Sequence, residues 1–581
     1  MVIIKALFKY LNGYKGRAVL GTVLKFAEAV LELFIPVFMS KIIDIGIANA
    51  DTAYIIKTGL IMLGFGALGL CCALTCQYFA AVTAYGFGRN LRRGLFEKIL
   101  TFSGPEINRF GTGTLITRMS NDVIQVQNGV NMFIRLAVRA PFLTVGCVVM
   151  AFTINLKAGF IFLAALVILV LVLYLIISRN IPQYTSIQQT HDKISRLSGE
   201  NLQGARVIRA FNRQDEQIEE FNETGDILAK KSVKAGMLAG MLNPLCYAVA
   251  NIAIVAIVWV GAGQVDLGLL QNGDIIALVS YMTQTMLVLI VFANILVLFS
   301  KAAASAKRLE EILTVTPEIQ EQPDCVKHID KGGIEFDNVT FSYNKGAVPA
   351  LKNASFSVKK GETLGIIGGT GSGKTTIINL LTRTFDADEG SVKIGGVDIR
   401  SASFSALSEK IGVVPQTSVL LRGTIRDNMR FANPDITDEE IFSALKTAQA
   451  YEIVANMPEG LDYGVSEGSK NLSGGQRQRL AIARALCAKP DILILDDSSS
   501  ALDYATDAAL RRSLKHDCEG MTVIIVSQRA ATVKNCDKIL VMDNGVITAQ
   551  GTHDELLKAS DIYREICTLQ GIAESGVQSA E

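Results

Sequence analysis

The chain is predicted to join two architectures: an all-α membrane half of six spanning helices, then an α/β half on a largely parallel sheet. Three observations predict this. Six long apolar stretches fall before residue 310. Short β-forming runs alternate with helical ones from residue 334 onward. A glycine-rich loop in the second half lies between an apolar strand and an apolar helix. The 581 residues leave room for both halves, and 50 % of them are hydrophobic, high for a soluble enzyme. A net charge of +1 carries no nucleic-acid signal.

The start, "MVIIKALFKYLNGYKGR", has no signal-peptide cleavage pattern. Ile3, Ile4, Leu7 and Leu11 against Lys5 and Lys9 predict a short amphipathic helix in the membrane interface. The spans are expected at 18–40, 56–84, 133–155, 159–178, 238–262 and 275–299, within a membrane domain of residues 1–310. The second and sixth run long and are expected to tilt or to extend past the lipid. Basic residues fix the orientation. Arg89, Arg92, Arg93, Lys98, Arg109 and Arg118 follow the second span, and Arg179, Lys193, Arg196, Arg206, Arg209, Arg213, Lys230 and Lys231 follow the fourth. The opposite loops, "NLKAG" and "GAGQVDLGLLQNGD", are poor in base, so both termini are expected in the cytoplasm, in a multi-pass protein of the cell membrane. Ten scattered cysteines without CxxC pairs predict reduced thiols.

Residues 311–333, with two prolines and many polar groups, read as a linker. The α/β domain is expected over 334–581, from runs such as "IEFDNVTFSY", "TLGIIGG", "DILILDD" and "MTVIIVS". "GGTGSGKT", Gly368 to Thr375, matches GxxxxGK[ST] after a strand and before a helix. The loop residues Gly368, Gly369, Thr370, Gly371, Ser372 and Gly373 let successive N–H groups turn toward a phosphate, and the helix N-terminus adds partial positive charge. Lys374 reaches outer phosphates, Thr375 offers its hydroxyl to Mg²⁺, and Thr376 continues the helix start. Asp496, at the end of "DILILD", suits the second metal-organising acid. In "NLSGGQRQRLAIARAL", Ser473, Gly474 and Gly475 open a further helix with bare N–H groups, a second anion site that one nucleotide does not need.

The P-loop, "VVPQ", "LSGGQ", "LILDD", "SALD" and "SQR", in that order, resemble the nucleotide-binding domain of ABC transporters. The six-span half, with "RFGTGTLITRMSNDV" and "ENLQGARVIRAFNRQDE" in its loops, resembles the type IV exporters, the multidrug- and lipid-exporter-like class. The resemblance covers nearly the whole chain and implies a half-transporter using ATP and Mg²⁺. It implies that Tyr343 stacks on adenine and that Gln416 senses the γ-phosphate and Mg²⁺. Ser473, Gly474, Gly475 and Gln476 would bind the γ-phosphate of a nucleotide held by the other subunit, and Asp503 would end the loop crossing to it. Glu467 would contact the membrane domain's loops, and the two loop motifs would carry short coupling helices.

Two positions depart from the family. The acid after Asp496 is normally glutamate, which polarises the attacking water, and here it is Asp497. The switch histidine is replaced by Gln528. One methylene fewer withdraws the carboxylate by about 1 Å, and misplacements of that order cost about 10²-fold. Glutamine hydrogen-bonds a phosphate but never becomes cationic. Together they imply a degenerate site that retains ATP, in a heterodimer whose different partner supplies the missing pair. A slow homodimer is the alternative.

Lys25, Glu28 and Glu32 share one face of the first span, where charges default to a functional reading. Glu28 and Glu32 are candidates for attracting cationic amphipathic substrates. The structural alternative pairs Lys25 with Glu28 and bonds Glu32 to a neighbouring helix. Gln77, Asn251, Gln284 and Asn294 read as helix–helix glue. No peptidase domain precedes the first span, which weighs against leader-processing peptide export. A peptide or lipid exporter, and a regulatory protein gating a channel, are the other functional alternatives.

Overall fold

The computed structural model describes residues 7–330, 332–344, 346–498 and 502–572, apart from the side chain of Val297. Ile3, Ile4 and Lys5 of the expected N-terminal helix, and Ser500 and Ala501 of "SALD", lie outside them. The chain divides into two compact units, one of residues 1–101 and 111–315, the other of 102–110 and 316–581. This departs from the sequence-based boundaries at two places. Residues 102–110 leave the helical half and pack in the second unit, and the expected linker is largely packed there too. Ile319 and Ile329 are buried, and the N–H of Val326 donates to Ser401 O at 2.8 Å.

The helices are α1 (Lys15–Lys41), α2 (Thr52–Ile99), the short α3 (Gly104–Phe110) of the second unit, α4 (Thr112–Ile154), α5 (Leu156–Gln203), α6 (Gln214–Asp266) and α7 (Asn272–Thr314). Among the described residues, α2, α4, α5, α6 and α7 are long and apolar enough to cross a bilayer. The first expected span is helical as α1, but its three ionisable residues keep it out of that group. Small residues let α1 and α2 approach: Cys76, Ala80 and Ala84 are buried, and Gly21 lies against Ile134 of α4. The main core of this unit gathers Leu143, Cys147, Phe162, Ile257, Leu278, Tyr281 and Met282. The Tyr281 hydroxyl has a hydrogen-bond partner, Leu33 O at 2.6 Å. Further along, the Asp122 carboxylate of α4 accepts from Ser305 (2.9 Å) and from Arg308 Nε (2.8 Å) of α7. All ten cysteines are free thiols.

The strands of the second unit are β1 (Ile334–Phe341), β2 (Leu351–Val358), β3 (Thr363–Gly368), β4 (Glu389–Ile394), β5 (Val397–Asp398), β6 (Ile411–Val414), β7 (Gly423–Thr424), β8 (Gly464–Val465), β9 (Ile492–Asp496), β10 (Thr522–Ser527), β11 (Lys538–Asp543) and β12 (Val546–Gly551). They form a six-stranded sheet of order β12-β11-β3-β10-β9-β6, a four-stranded sheet of order β2-β1-β4-β5, and a small β7-β8 pair. In the larger sheet β11, β3, β10, β9 and β6 are mutually parallel. β9 and β10 are buried along their whole length, which explains their unbroken apolar runs. Register sets Ser527 opposite Ile367 and Val526 opposite Asp496. The carboxyl ends of β3, β9 and β10 therefore finish at one edge, where open α/β sheets hold their ligands.

Candidate functional site

The loop after β3 runs from Gly368 into α8 (Lys374–Leu381). Two of its glycines are required by space. A Cβ on Gly368 would stand 2.2 Å from Met542 O, and one on Gly373, which caps α8 at φ +98, 2.7 Å from Ala350 O. The N-terminal N–H groups of α8 are thus presented at the sheet edge. Lys374 is buried and curls over the loop, its Nζ donating to Gly368 O (2.9 Å) and Gly369 O (2.6 Å). Burial lowers its pKa below the usual lysine value, while Asp497 and Asp496 act the other way.

Asp496 is buried at the end of β9. Burial, then the neighbouring Asp497, push its carboxyl above the ordinary aspartate value; Lys374 and a hydrogen bond from Thr375 oppose this only in part. A buried carboxylate beside a second acid and a helix-start hydroxyl makes a hard, oxygen-only donor set that fits Mg²⁺. Asp496 and Thr375 would hold such an ion, which would neutralise phosphate charge when bound.

Asp497 follows in a left-handed conformation, φ +48, uncommon for a residue with a side chain. Its N–H donates to Val526 O at 2.9 Å, and its Oδ2 accepts from Gln416 Nε2 at 3.3 Å. Gln528, one residue past β10, is exposed, and its side chain makes no hydrogen bond among the described residues. Its carbonyl accepts from Gln570 at 2.8 Å. Tyr343 is 44 % exposed and has its hydroxyl set against Thr376 Oγ1 (3.2 Å) and Asn379 Nδ2 (3.1 Å). Edge-on contacts with Phe341 and Phe385 hold its ring.

The loop residues from Gly368, Lys374, Thr375, Thr376, Tyr343, Gln416, Asp496, Asp497 and Gln528 are thus joined by bonds or by strand register. The signature residues are not. Ser473 caps α9 (Gly474–Cys487) in a reciprocal box with Gln476, 2.9 Å from Ser473 N to Gln476 Oε1 and 3.3 Å from Gln476 N to Ser473 Oγ. Ser473 and Gly474 are exposed, and no bond links them to the P-loop among the described residues. Asp503 caps α10 (Tyr504–Asp517), and the N–H and hydroxyl of Thr506 hold its carboxyl below the usual range. Glu467 is exposed.

Both carboxylates of the first expected span have cationic partners. Lys25 Nζ donates to Glu28 at 2.8 and 2.7 Å, and Arg139 of α4 donates to both oxygens of Glu32 at 2.7 Å. This is the structural alternative rather than a pair of acids open to a cation. The first loop motif also needs correction. The short helix that packs in the second unit is α3, and only Arg109 and Phe110 of "RFGTGTLITRMSNDV" belong to it. Glu106 anchors α3. It accepts from Ser103 N (2.9 Å), Ser103 Oγ (2.5 Å) and Glu318 N (2.8 Å), while Gly104 N donates to Thr384 O at 3.2 Å. Burial raises the Glu106 pKa, but these bonds outweigh it and hold the group below the ordinary glutamate value. The signal was the S-x-x-E spacing of Ser103 and Glu106.

Comparison with known proteins agrees with the division into a helical half and an α/β half. The profile of the ABC transporter transmembrane region matches residues 18–289, and that of the ABC transporter domain matches 351–500. An uncharacterised ABC transporter ATP-binding protein of Mycobacterium tuberculosis is 35% identical over 98% of this chain and 99% of its own length. A probable multidrug resistance ABC transporter ATP-binding/permease protein of Bacillus subtilis is 31% identical over 97% of both chains. The solved structure of a bacterial Atm1-family ABC exporter with ATP bound shares the fold, with a TM-score of 0.81 at 22% identity, over 96% of this chain and 99% of that one.

Proposed function

We propose, for a chain that belongs to the ABC transporter family of ATP-hydrolysing transporters, that it is the degenerate-site subunit of a heterodimeric exporter. It carries amphipathic, drug- or lipid-like molecules out across the cytoplasmic membrane. Six spans, α1 included, with both termini and the ATPase domain in the cytoplasm, complete this reading. The observation that carries it is Asp497. Its backbone is fixed by Val526 and by a left-handed turn, so its reach is set by one methylene. Gln528 beside it provides no proton shuttle.

ATP binding is retained in this reading. Lys374, Thr375 and Asp496 hold the phosphates and Mg²⁺, Tyr343 offers a ring to the base, and Gln416 reports to the membrane half. Ser473, Gly474, Gly475 and Gln476 serve the partner's nucleotide, and the exposure of Ser473 and Gly474 supports that use. Apolar residues exposed around the second loop motif, Leu202, Val207 and Phe211, also suit a second subunit. The likeness to the B. subtilis multidrug protein supports an amphipathic cargo. The test is Mg²⁺-ATPase activity of the purified single chain, then of the chain with the half-transporter encoded beside it. Turnover only in the pair is expected. Vigorous turnover by the single chain, abolished by Asp497→Asn, would make it a homodimer instead.

A further inference from the structure

The carboxylates of the first span do not attract a cation; the surplus charge at that level is positive. Residues 18–40 and 133–155 contain three cations, Lys25, Arg135 and Arg139, against two anions, Glu28 and Glu32. Glu28 is taken by Lys25, and Glu32 by Arg139. Arg135 has no hydrogen bond or ion pair among the described residues, although it is only partly exposed. It shares its surroundings with the other charges, since Lys25, Glu28 and Arg135 all act electrostatically on the buried Cys76 thiol of α2. The α1–α4 contact brackets it, with Gly21 against Ile134 and Phe26 edge-on to Phe142 at 4.8 Å.

Two further observations place a ligand there. Arg139 spends one terminal nitrogen on Glu32, but its buried Nε donor has no partner. Arg135 and Arg139 are four residues apart, so the free guanidinium and the free Nε–H lie on neighbouring turns of α4. Arg135 also sits inside a π-helical turn, Phe133–Ala137, and single π turns in α-helices are frequent at functional sites. An unpaired, partly buried cation is costly, and an anionic oxygen offsets that cost through charge-assisted hydrogen bonds.

From this charge balance we infer that Arg135, assisted by Arg139 Nε–H, binds the carboxylate or phosphate head of an anionic amphiphile in the membrane half. The inference rests on the export reading and names the charge of its cargo. Lys25–Glu28 and Arg139–Glu32 are positioning pairs that leave Arg135 as the cation to be neutralised. The head group belongs either to a membrane phospholipid or to a single-chain amphiphile, and both present the same chemistry.

The experiment uses the full chain with its partner in dodecyl maltoside, which carries no anion. Two fluorescent probes are titrated without ATP: 11-(dansylamino)undecanoic acid and an otherwise identical quaternary ammonium compound. The carboxylate probe is expected to bind more tightly. Arg135→Gln weakens it at least about tenfold, Arg135→Lys restores most of the affinity, and the ammonium probe is not weakened by either. Displacement by dioleoylphosphatidic acid would assign the site to lipid head groups, and its absence to single-chain amphiphiles. Equal affinity for both probes, or an Arg135→Gln variant that binds the carboxylate unchanged, overturns the inference. ATP-driven uptake of a neutral dansyl amide in vesicles is measured alongside. Uptake with no charge preference removes the anion site alone, whereas no uptake by the wild-type pair removes the export reading.

Discussion

Lengthening one side chain is the sharpest test of the degenerate site. In Asp497→Glu the backbone keeps its anchor, because Asp497 N is bonded to Val526 O at 2.9 Å and the turn is set at φ +48. The added methylene therefore goes into reach and moves the carboxylate outward by about 1 Å, a displacement associated with about 10²-fold in rate. That corresponds to about 2.7 kcal/mol of barrier. Gln416 Nε2, now 3.3 Å from Oδ2, is a long partner, and losing that one bond costs little. The assay is single-turnover release of γ-labelled phosphate from ATP held at this site, with the partner's own site disabled. Asp497→Glu is expected to accelerate release by about 10- to 100-fold, with Gln528→His adding to it. ATP affinity should stay within about threefold, because the changed group is not a phosphate anchor. An unchanged rate, in a variant that still binds ATP and docks to its partner, would show that reach is not the defect.

Other substitutions separate the roles of neighbouring residues. Ser473→Ala should reduce steady-state hydrolysis by the pair far more than Asp497→Asn does, and equally severe losses would contradict the assignment of Ser473 to the partner's nucleotide. Asp496→Asn should abolish Mg²⁺-dependent binding yet raise the melting temperature of the nucleotide-free chain at neutral pH, a trade of stability against function. The sign follows from the raised pKa of Asp496. Wild-type stability relative to that variant is fullest below the unfolded-state value and falls as pH rises through the folded one, so scans from pH 4 to 7 should diverge upward. Glu106→Gln should cost about 1–3 kcal/mol, since three donors lose an ionised acceptor. With the folded pKa of Glu106 depressed, that loss is full above pH 4.5 and vanishes as pH drops through the lower folded value; protease sensitivity of residues 102–110 reports it.

What the sequence revealed follows how local each interaction is. The P-loop and Asp496 were legible because a strand, a loop and a helix start determine them within a few residues. The identity of Asp497 was legible in the same way, but its left-handed backbone depends on where β10 delivers the Val526 carbonyl. For Glu106 the S-x-x-E spacing in "SGPEINRF" signals only the bonds to Ser103, because the Glu318 N–H lies 212 residues away. For Glu32 only the general rule is legible, that such a charge finds a partner on another helix. Arg139, 107 residues on, is that partner, and the structure alone shows that this pairing leaves Arg135 over. The first span stands outside the strongly apolar helices because of its charges: Lys25 is neutralised by Glu28 within one turn, but Glu32 only by Arg139 of another helix.

Asp496, Asp497 and Lys374 leave the site electrostatically uneasy, and under the proposed reading this gives a degenerate subunit a use. Asp496 is buried next to Asp497; burial first, and then the charge of Asp497, push its carboxyl above the ordinary aspartate value. Lys374 answers them only partly, because its ammonium is committed to Gly368 O and Gly369 O. Asp496 would gain a cation from a bound Mg²⁺, and Lys374 would exchange two neutral acceptors for anionic phosphate oxygens, about twice as strong, so both conditions would be relieved together. Nothing in that exchange involves the shortened reach of Asp497. Under the proposed reading the forces that favour binding are therefore intact even though the chemical step is slowed, so the site should fill readily and empty slowly. Excess chelator should then release ATP from the assembled pair much faster than hydrolysis does. Release at the hydrolytic rate would mean that the ion contributes little to retention.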